Sequence, residues 1–171
     1  MRTNLDPFDS VPDKTLWAAL KAVQLDSVVK KLKGQLSFMV ADHGGNLSVG
    51  QRQLLSLARA IARRSKIVVM DEATANIDLE TDRRIQRAIQ TDPNLKQSTI
   101  LVIAHRIRTI AQSDMILVVD NGHLVEAGSP SVLAKREGSV FRSMVKASGM
   151  SFEDVGQPAN SERLIDLETK L

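Results

Sequence analysis

The sequence has no cysteine and no tyrosine, and only one tryptophan and four phenylalanines in 171 residues. Without cysteine there is neither a disulfide framework nor a thiolate zinc site, so nothing points to an oxidising compartment. Aromatics at 3% are too few for the base-stacking surface that holds single-stranded nucleic acid. A formal net charge of +3 is too small to imply a nucleic-acid partner unless it is clustered. No apolar run approaches the ~20 residues a membrane-spanning helix needs. The start, Met1 to Pro7, lacks the apolar stretch of a signal peptide. What remains is an ordinary globular balance, 43% hydrophobic and 25% charged, at the size of one domain. The chain reads as soluble, or as a soluble piece of something larger.

Asn4 to Pro12 carries two prolines and several turn formers, and predicts an extended lead-in loop. Leu16, Leu20 and Val23 then recur at helical spacing, widened by Trp17 and Ala19, and a second short helix over 28–33 is stopped by Gly34. Asp42 to Asn46 is a loop by composition. From Ser48 a long helix follows, with Leu54, Leu57, Ala58, Ile61 and Ala62 on one face. Arg59, Arg63, Arg64 and Lys66 read as its solvated side. The period then changes: Ile67 to Met70 is a continuous apolar run, as expected of a buried parallel strand, and it ends in Asp71-Glu72. Asp78 is placed to cap a helix carrying Ile85, Ala88 and Ile89, which Pro93 terminates. Thr99 to Ala104 predicts another buried strand, ending at His105, before a short helix bearing Ile107, Ile110 and Ala111. Asn121-Gly122 between two apolar runs predicts a hairpin. Ser129-Pro130 starts a helix, Val140 to Val145 forms one more, and Gly149 closes the packed region. The expected organisation is a packed segment 1–149, divided near 65/66, followed by a polar tail 150–171. Helices first, then alternating strand and helix, make the class α/β with a parallel sheet.

Three constellations carry chemistry. Leu47-Ser48-Val49-Gly50-Gln51 heads the long helix, where unpaired N–H groups and the helix dipole make an anion site. The same spacing, Ser48-x-x-Gln51, fits a capping box that satisfies the helix's own end. The two readings are compatible, because a capped terminus still presents N–H groups. Asp71-Glu72 at the end of an apolar strand suits phosphoryl-transfer chemistry: one carboxylate holds Mg²⁺, commonly through water, and its neighbour polarises an attacking water. Paired acids are also common in surface turns. His105, directly after the next strand, could hydrogen-bond a terminal phosphate, although a lone His in such a place is more often structural.

Their order and spacing raise all three together. The segment Leu47 to Gln53 resembles the ABC signature motif, and Val68-Val69-Met70-Asp71-Glu72 resembles Walker B with its catalytic glutamate. Ala75-Asn76-Ile77-Asp78 resembles the D-loop, and His105 the switch histidine. The chain thus looks like the C-terminal part of an ABC-type ATPase, from its first residue to about Gly149. Asn4-Leu5-Asp6-Pro7-Phe8, the valine in the signature and the run 71–78 look like the second nucleotide-binding domain of multidrug-resistance-associated (C-subfamily) exporters. So does the stretch Gly122 to Pro130.

The resemblance implies an incomplete P-loop NTPase (ABC ATPase) fold: a helical, signature-bearing subdomain over about 1–65, then the C-terminal half of the parallel-sheet core. A P-loop needs G-x-x-x-x-G-K-[ST], and none of the nine glycines is followed by lysine. The adenine-stacking aromatic and the Q-loop glutamine are missing too. By the family pattern ATP lies between the P-loop of one domain and the signature of another, with Mg²⁺. Ser48 and Gly50 would then contact a γ-phosphate held by a partner, with Leu47, Val49 and Gln51 completing the motif. Asp71 would organise Mg²⁺ through water, Glu72 orient water, His105 hold the γ-phosphate, and Asp78 couple the two sites. The implied partners are transmembrane domains and a second nucleotide-binding domain at the cytoplasmic face of a membrane, with no nucleic acid. A chain of these residues alone is expected to be inactive, and its strands to be exposed at a sheet edge. The alternatives are a soluble non-transport ABC ATPase and a non-catalytic fragment that docks on an ABC partner.

Overall fold

Side chains at helical spacing assemble the first half of the protein around one long helix. The computed structural model describes residues 1–71, 77–103 and 106–156. By contacts the chain divides into two compact units, Met1–Ile103 and Ala104–Leu171.

In the first unit, helices α1 (Arg2–Leu5), α2 (Asp13–Ala22) and α3 (Asp26–Lys31) precede α4 (Val49–Ala62). The apolar stripe of α4 meets α1 and α2 and also packs on α5 (Leu79–Thr91). Leu5, Leu16, Leu20, Val23, Leu54 and Ile85 are all but fully buried in this core. Each such leucine or isoleucine contributes about 1.5–3 kcal/mol by leaving water. Helix α3 ends at Lys31, short of Gly34 (φ +86°), which the sequence suggested as the stop of a helix over 28–33.

The lead-in is a loop over residues 6–12, as its two prolines suggested, but it does not begin at Asn4. Arg2–Leu5 forms a helical turn because Leu5 is buried and Asn4 is held from α4. Arg59 donates from Nε to the Asn4 carbonyl (2.8 Å) and from Nη2 to its side-chain oxygen. Arg59 is therefore half-buried rather than part of a solvated face, and burial lowers its pKa. The buried Asp6 continues the knot, accepting from the Val11 N–H (2.6 Å) and the Ser10 hydroxyl (3.2 Å). Burial pushes its carboxyl upward, but these bonds outweigh it and hold it below the usual range.

Strands β1 (Ile67–Asp71) and β2 (Thr99–Ile103) pair in parallel, Ile67 opposite Thr99 and Asp71 opposite Ile103. Val68 and Met70, with Ile100 and Val102, turn to the helical core. The alternate residues do not: Ile67 is 69% exposed, Val69 62%, Leu101 49% and Ile103 51%. Apolar runs of this kind belong to strands covered on both faces, so the expectation of burial holds for one face only. Within this unit the other face is open, where the sequence predicted exposure at a sheet edge.

The second unit contains α6 (Ile107–Ile110), the antiparallel hairpin of β3 (Ile116–Asp120) and β4 (His123–Gly128), α7 (Pro130–Lys135) and α8 (Val140–Ala147). Asn121 and Gly122 both have positive φ, +46° and +78°, the backbone that lets a two-residue loop follow the strand twist. Glu126 of β4 ties down α8: its carboxylate accepts from the N–H groups of Val140 (2.7 Å) and Phe141 (3.2 Å) and from the Ser139 hydroxyl (2.9 Å). Burial raises its pKa, the three donors lower it, and the donors win. Phe141, Leu133 and Val145 form the core here with Ile116 and Val118. Packing continues past Gly149 into the segment expected as a tail, for Val155 is buried and the Gly156 N–H reaches the Ala111 carbonyl (2.8 Å).

Candidate functional site

The described candidate site residues of the first unit lie at two helix N-termini and one strand end. At α4 the capping box expected from the sequence is formed: the Gln51 N–H donates to Ser48 Oγ (3.1 Å), and the Ser48 N–H donates to Gln51 Oε1 (3.0 Å). Ser48 Oγ is used there as an acceptor, which leaves its own O–H free to donate outward. Val49 and Gly50 occupy the first two helical positions, whose N–H groups have no intrahelical acceptor. Added to the partial positive charge of the helix end, this is a donor-rich, anion-seeking surface. Ser48 and Val49 are exposed, Gly50 is buried where it meets Thr81, and Leu47 is buried in the core and anchors the turn.

Two residues not singled out from the sequence hold that turn in place. Arg52, one turn into α4, donates from Nη1 to the carbonyls of Leu47 (2.9 Å) and Gly44 (3.3 Å). Gly44, at φ +68°, leaves room for it, since a Cβ there would lie 2.6 Å from Arg52 Cδ. Asn46 bridges the preceding loop, accepting from the Ala41 N–H (3.0 Å) and donating to the Met39 carbonyl (2.9 Å). These four contacts span five to eight residues, beyond the three- and four-residue spacings of a helix face, so no such rule exposes them.

The second terminus belongs to α5. Asp78 is its N-cap, as expected: Oδ1 accepts from the Thr81 N–H (2.9 Å) and Oδ2 from the Thr81 hydroxyl (2.7 Å). The Thr81 side chain, then its N–H, lowers the Asp78 pKa. Thr81 is itself buried, and it faces Gly50: a Cβ on Gly50 would sit 2.8 Å from Thr81 Oγ1 and 3.0 Å from its Cγ2. Gly50 is therefore a close-approach residue between α4 and α5, a role the sequence reading did not give it. The spacing Asp78-x-x-Thr81, a carboxylate cap with a hydroxyl at its third position, signals the bond between these two but not the approach to Gly50.

Asp71 ends β1, is exposed, and lines a groove of about 230 Å³ with Gln53, Leu57, Met70 and Ile85. Glu72 and His105 lie outside the described residues, as do Ala75 and Asn76 of the D-loop-like run. Among the described residues no group of three or more His, Cys, Asp or Glu side chains could hold a metal ion. Asp71 alone suits a water-mediated Mg²⁺ contact, being an accessible carboxylate at a strand's C-terminal end. No described helix is long and apolar enough to cross a membrane.

A capped signature-like helix, an aspartate at the end of a parallel strand and a second capped helix beside the first define the ATPase part of an ABC protein. Residues 2–75 match the family described as "ABC transporter". The fold agrees with a bacterial Atm1-family ABC exporter solved with ATP bound, at a TM-score of 0.76 and 29% identity, covering 88% of this chain and 26% of that one. The chain belongs to the ABC transporter family and has an incomplete ABC ATPase fold. Within that family it groups with the C-subfamily, multidrug-resistance-associated exporters. It is 49% identical over 150 residues to human ATP-binding cassette sub-family C member 2, covering 88% of this chain and 10% of that protein. It is 48% identical over 150 residues to the probable multidrug resistance-associated protein lethal(2)03659 of Drosophila melanogaster, covering 87% of this chain and 11% of that one. The chain spans about a tenth of the length of these relatives.

Proposed function

We propose that this chain supplies the signature, Walker B, D-loop and switch segments of a nucleotide-binding domain that couples ATP hydrolysis to export. In that role Ser48 and Gly50 donate to the terminal phosphate of an ATP held mainly by a second nucleotide-binding domain, within the motif Leu47 to Gln51. Asp71 holds Mg²⁺ through water, and the ion supplies charge neutralisation of the phosphates. Glu72 orients the attacking water, His105 holds the γ-phosphate, and Asp78 couples the two sites. Residues 1–65 act as the signature-bearing part, 66–149 as the Walker B to C-terminal part, and 150–171 as an extension. The partners are transmembrane domains and the second nucleotide-binding domain, met at the cytoplasmic face of a membrane.

The observation that carries this reading is the N-terminus of α4, where the Ser48–Gln51 capping box forms and leaves the Ser48 hydroxyl and the Val49 N–H on exposed residues. Catalysis by these 171 residues alone is another matter. A phosphate-binding lysine loop is absent from the sequence, and like charges 4 Å apart repel by about 4 kcal/mol at an effective dielectric near 20. Asp71 and Glu72 therefore disfavour a polyphosphate without its usual cation.

Two measurements test the reading. The purified chain with MgATP should release no phosphate above the level of its Glu72→Gln variant; a rate that this substitution abolishes would overturn the expected inactivity. An intact C-subfamily nucleotide-binding domain loaded with ATP should bind the chain, and Ser48→Arg should weaken that binding. Binding indifferent to ATP and to residue 48 would remove the signature assignment.

A further inference from the structure

We propose that Thr81 is a positioning residue that locks Asp78 to the signature helix at Gly50, so that engagement of the α4 N-terminus and the setting of Asp78 move together. This rests on the functional reading above and deepens it. Thr81 sits at the third position of α5 with its side chain buried. On one side its hydroxyl donates to Asp78 Oδ2 at 2.7 Å, while Asp78 Oδ1 takes the Thr81 N–H at 2.9 Å. On the other side the same Oγ1 and the Cγ2 methyl press on Gly50, at 2.8 and 3.0 Å from where a Cβ would be. A threonine in a helix divides its χ1 between two rotamers, and the bond to Asp78 selects one of them. The rotamer that satisfies the carboxylate is thus the one that contacts Gly50. Neither end of this link can shift without the other, since Gly50 offers only backbone and Asp78 is fixed by two bonds.

The arrangement predicts a reversal that simple packing does not. Thr81→Ser keeps the hydroxyl and its bond to Asp78 but loses the methyl. Thr81→Val keeps the shape but loses the bond, and puts a larger methyl where the hydroxyl met Gly50. If Thr81 only fills space, valine should substitute well and serine poorly. If it acts as a positioning residue, serine should substitute and valine should fail.

The test uses the 171-residue chain in two assays. In amide hydrogen exchange followed by NMR, Thr81→Val should speed exchange at Gln51 and Arg52, whose N–H groups are bonded to Ser48 at this helix end, by about tenfold, the weight of one hydrogen bond to a charged group. Thr81→Ser should leave those rates within about twofold, and amides near Ala62 should not change in either variant, which separates a local effect from global loosening. In titration against an intact nucleotide-binding domain loaded with ATP, its own catalytic glutamate replaced by glutamine, Thr81→Val should weaken binding about tenfold and Thr81→Ser should not. Valine tolerated and serine harmful in the exchange assay would make Thr81 a spacer and overturn the proposal. So would two silent variants. Exchange that follows the expected order, together with a wild-type chain that ignores the ATP-loaded domain, would instead overturn the functional reading, and with it the link's role in engagement.

Discussion

Replacing Gly50 by alanine sets two effects of opposite sign against each other, and the structure decides between them. A glycine in a helix costs up to about 1 kcal/mol relative to alanine, and at the second helical position of α4 the gain from replacement is smaller. Against it stands the new Cβ, 2.8 Å from Thr81 Oγ1, 3.0 Å from Cγ2 and 3.3 Å from Cβ. These are not the ends of a long flexible side chain. Thr81 is buried and its rotamer is held by Asp78. Forcing an extra carbon into such a place costs about 1–3 kcal/mol. Gly50→Ala should therefore destabilise the first unit by about 1 kcal/mol, the overpacking cost less the propensity gain. In urea this lowers the unfolding midpoint by roughly 0.3–1 M at ordinary m-values. Thr81→Ala removes the obstacle, so in that background the same substitution should be neutral or stabilising. The coupling across the double-mutant cycle should then reach about 1–3 kcal/mol. Far-UV circular dichroism in urea on the four proteins measures it. A Gly50→Ala protein more stable than the parent, or a coupling near zero, would refute the claim that this glycine exists for close approach to Thr81.

Other consequences are simpler. Lysine at Val69 or Leu101, on the open face of β1 and β2, should raise the concentration at which the chain stays dispersed in light scattering without lowering its stability to urea by more than about 0.5 kcal/mol. Phe141→Ala should cost the second unit about 3–5 kcal/mol, because Phe141 is fully buried with Leu133 and Val145, and loss of its α8 amide signals before those of α4 would report it. The Glu126 carboxyl, held below its usual range by Val140, Phe141 and Ser139 despite burial, should titrate by NMR below the ordinary value of about 4.3. Its contribution to stability is then constant above about pH 5 and is lost only as the pH falls through the lowered pKa; a midpoint at or above 4.3 contradicts the bond network. Glu126→Gln should remove part of that acid-limb dependence.

Legibility in the sequence followed the range of the interaction. The cap Asp78, the hairpin turn Asn121-Gly122 and the first-position Pro130 were readable because each is decided within four residues. So were the strands 67–71 and 99–103 as strands. Their burial was not, since an apolar run records what a strand is built to meet rather than what surrounds it here. The start of the lead-in was missed for a different reason: prolines at 7 and 12 mark the loop they sit in, while the bonds that hold Asn4 in the turn Arg2–Leu5 come from Arg59, more than fifty residues away. The same distance hid Arg59 itself among apparently solvated arginines. Thr81 was missed because its two partners, Asp78 and Gly50, belong to different motifs and meet only in the fold.

The signature-like segment shows why a structural reading and a functional one need not compete. Ser48-x-x-Gln51 is a good capping box, and it forms. The cap, however, spends only the acceptor side of the Ser48 hydroxyl, and Gln51 bonds back to the Ser48 N–H without covering the N–H groups of Val49 and Gly50. A helix that stabilises its own end in this way arrives with its donors already aligned, so an anion that binds there has little ordering entropy left to overcome. Gly50 extends the same economy, since it lets Thr81 of α5 come close enough to brace that end from behind. The features that hold α4 together are thus the ones that would orient it toward a phosphate. For that reason a substitution at Ser48 or Gly50 should be judged by binding and stability measured on the same protein.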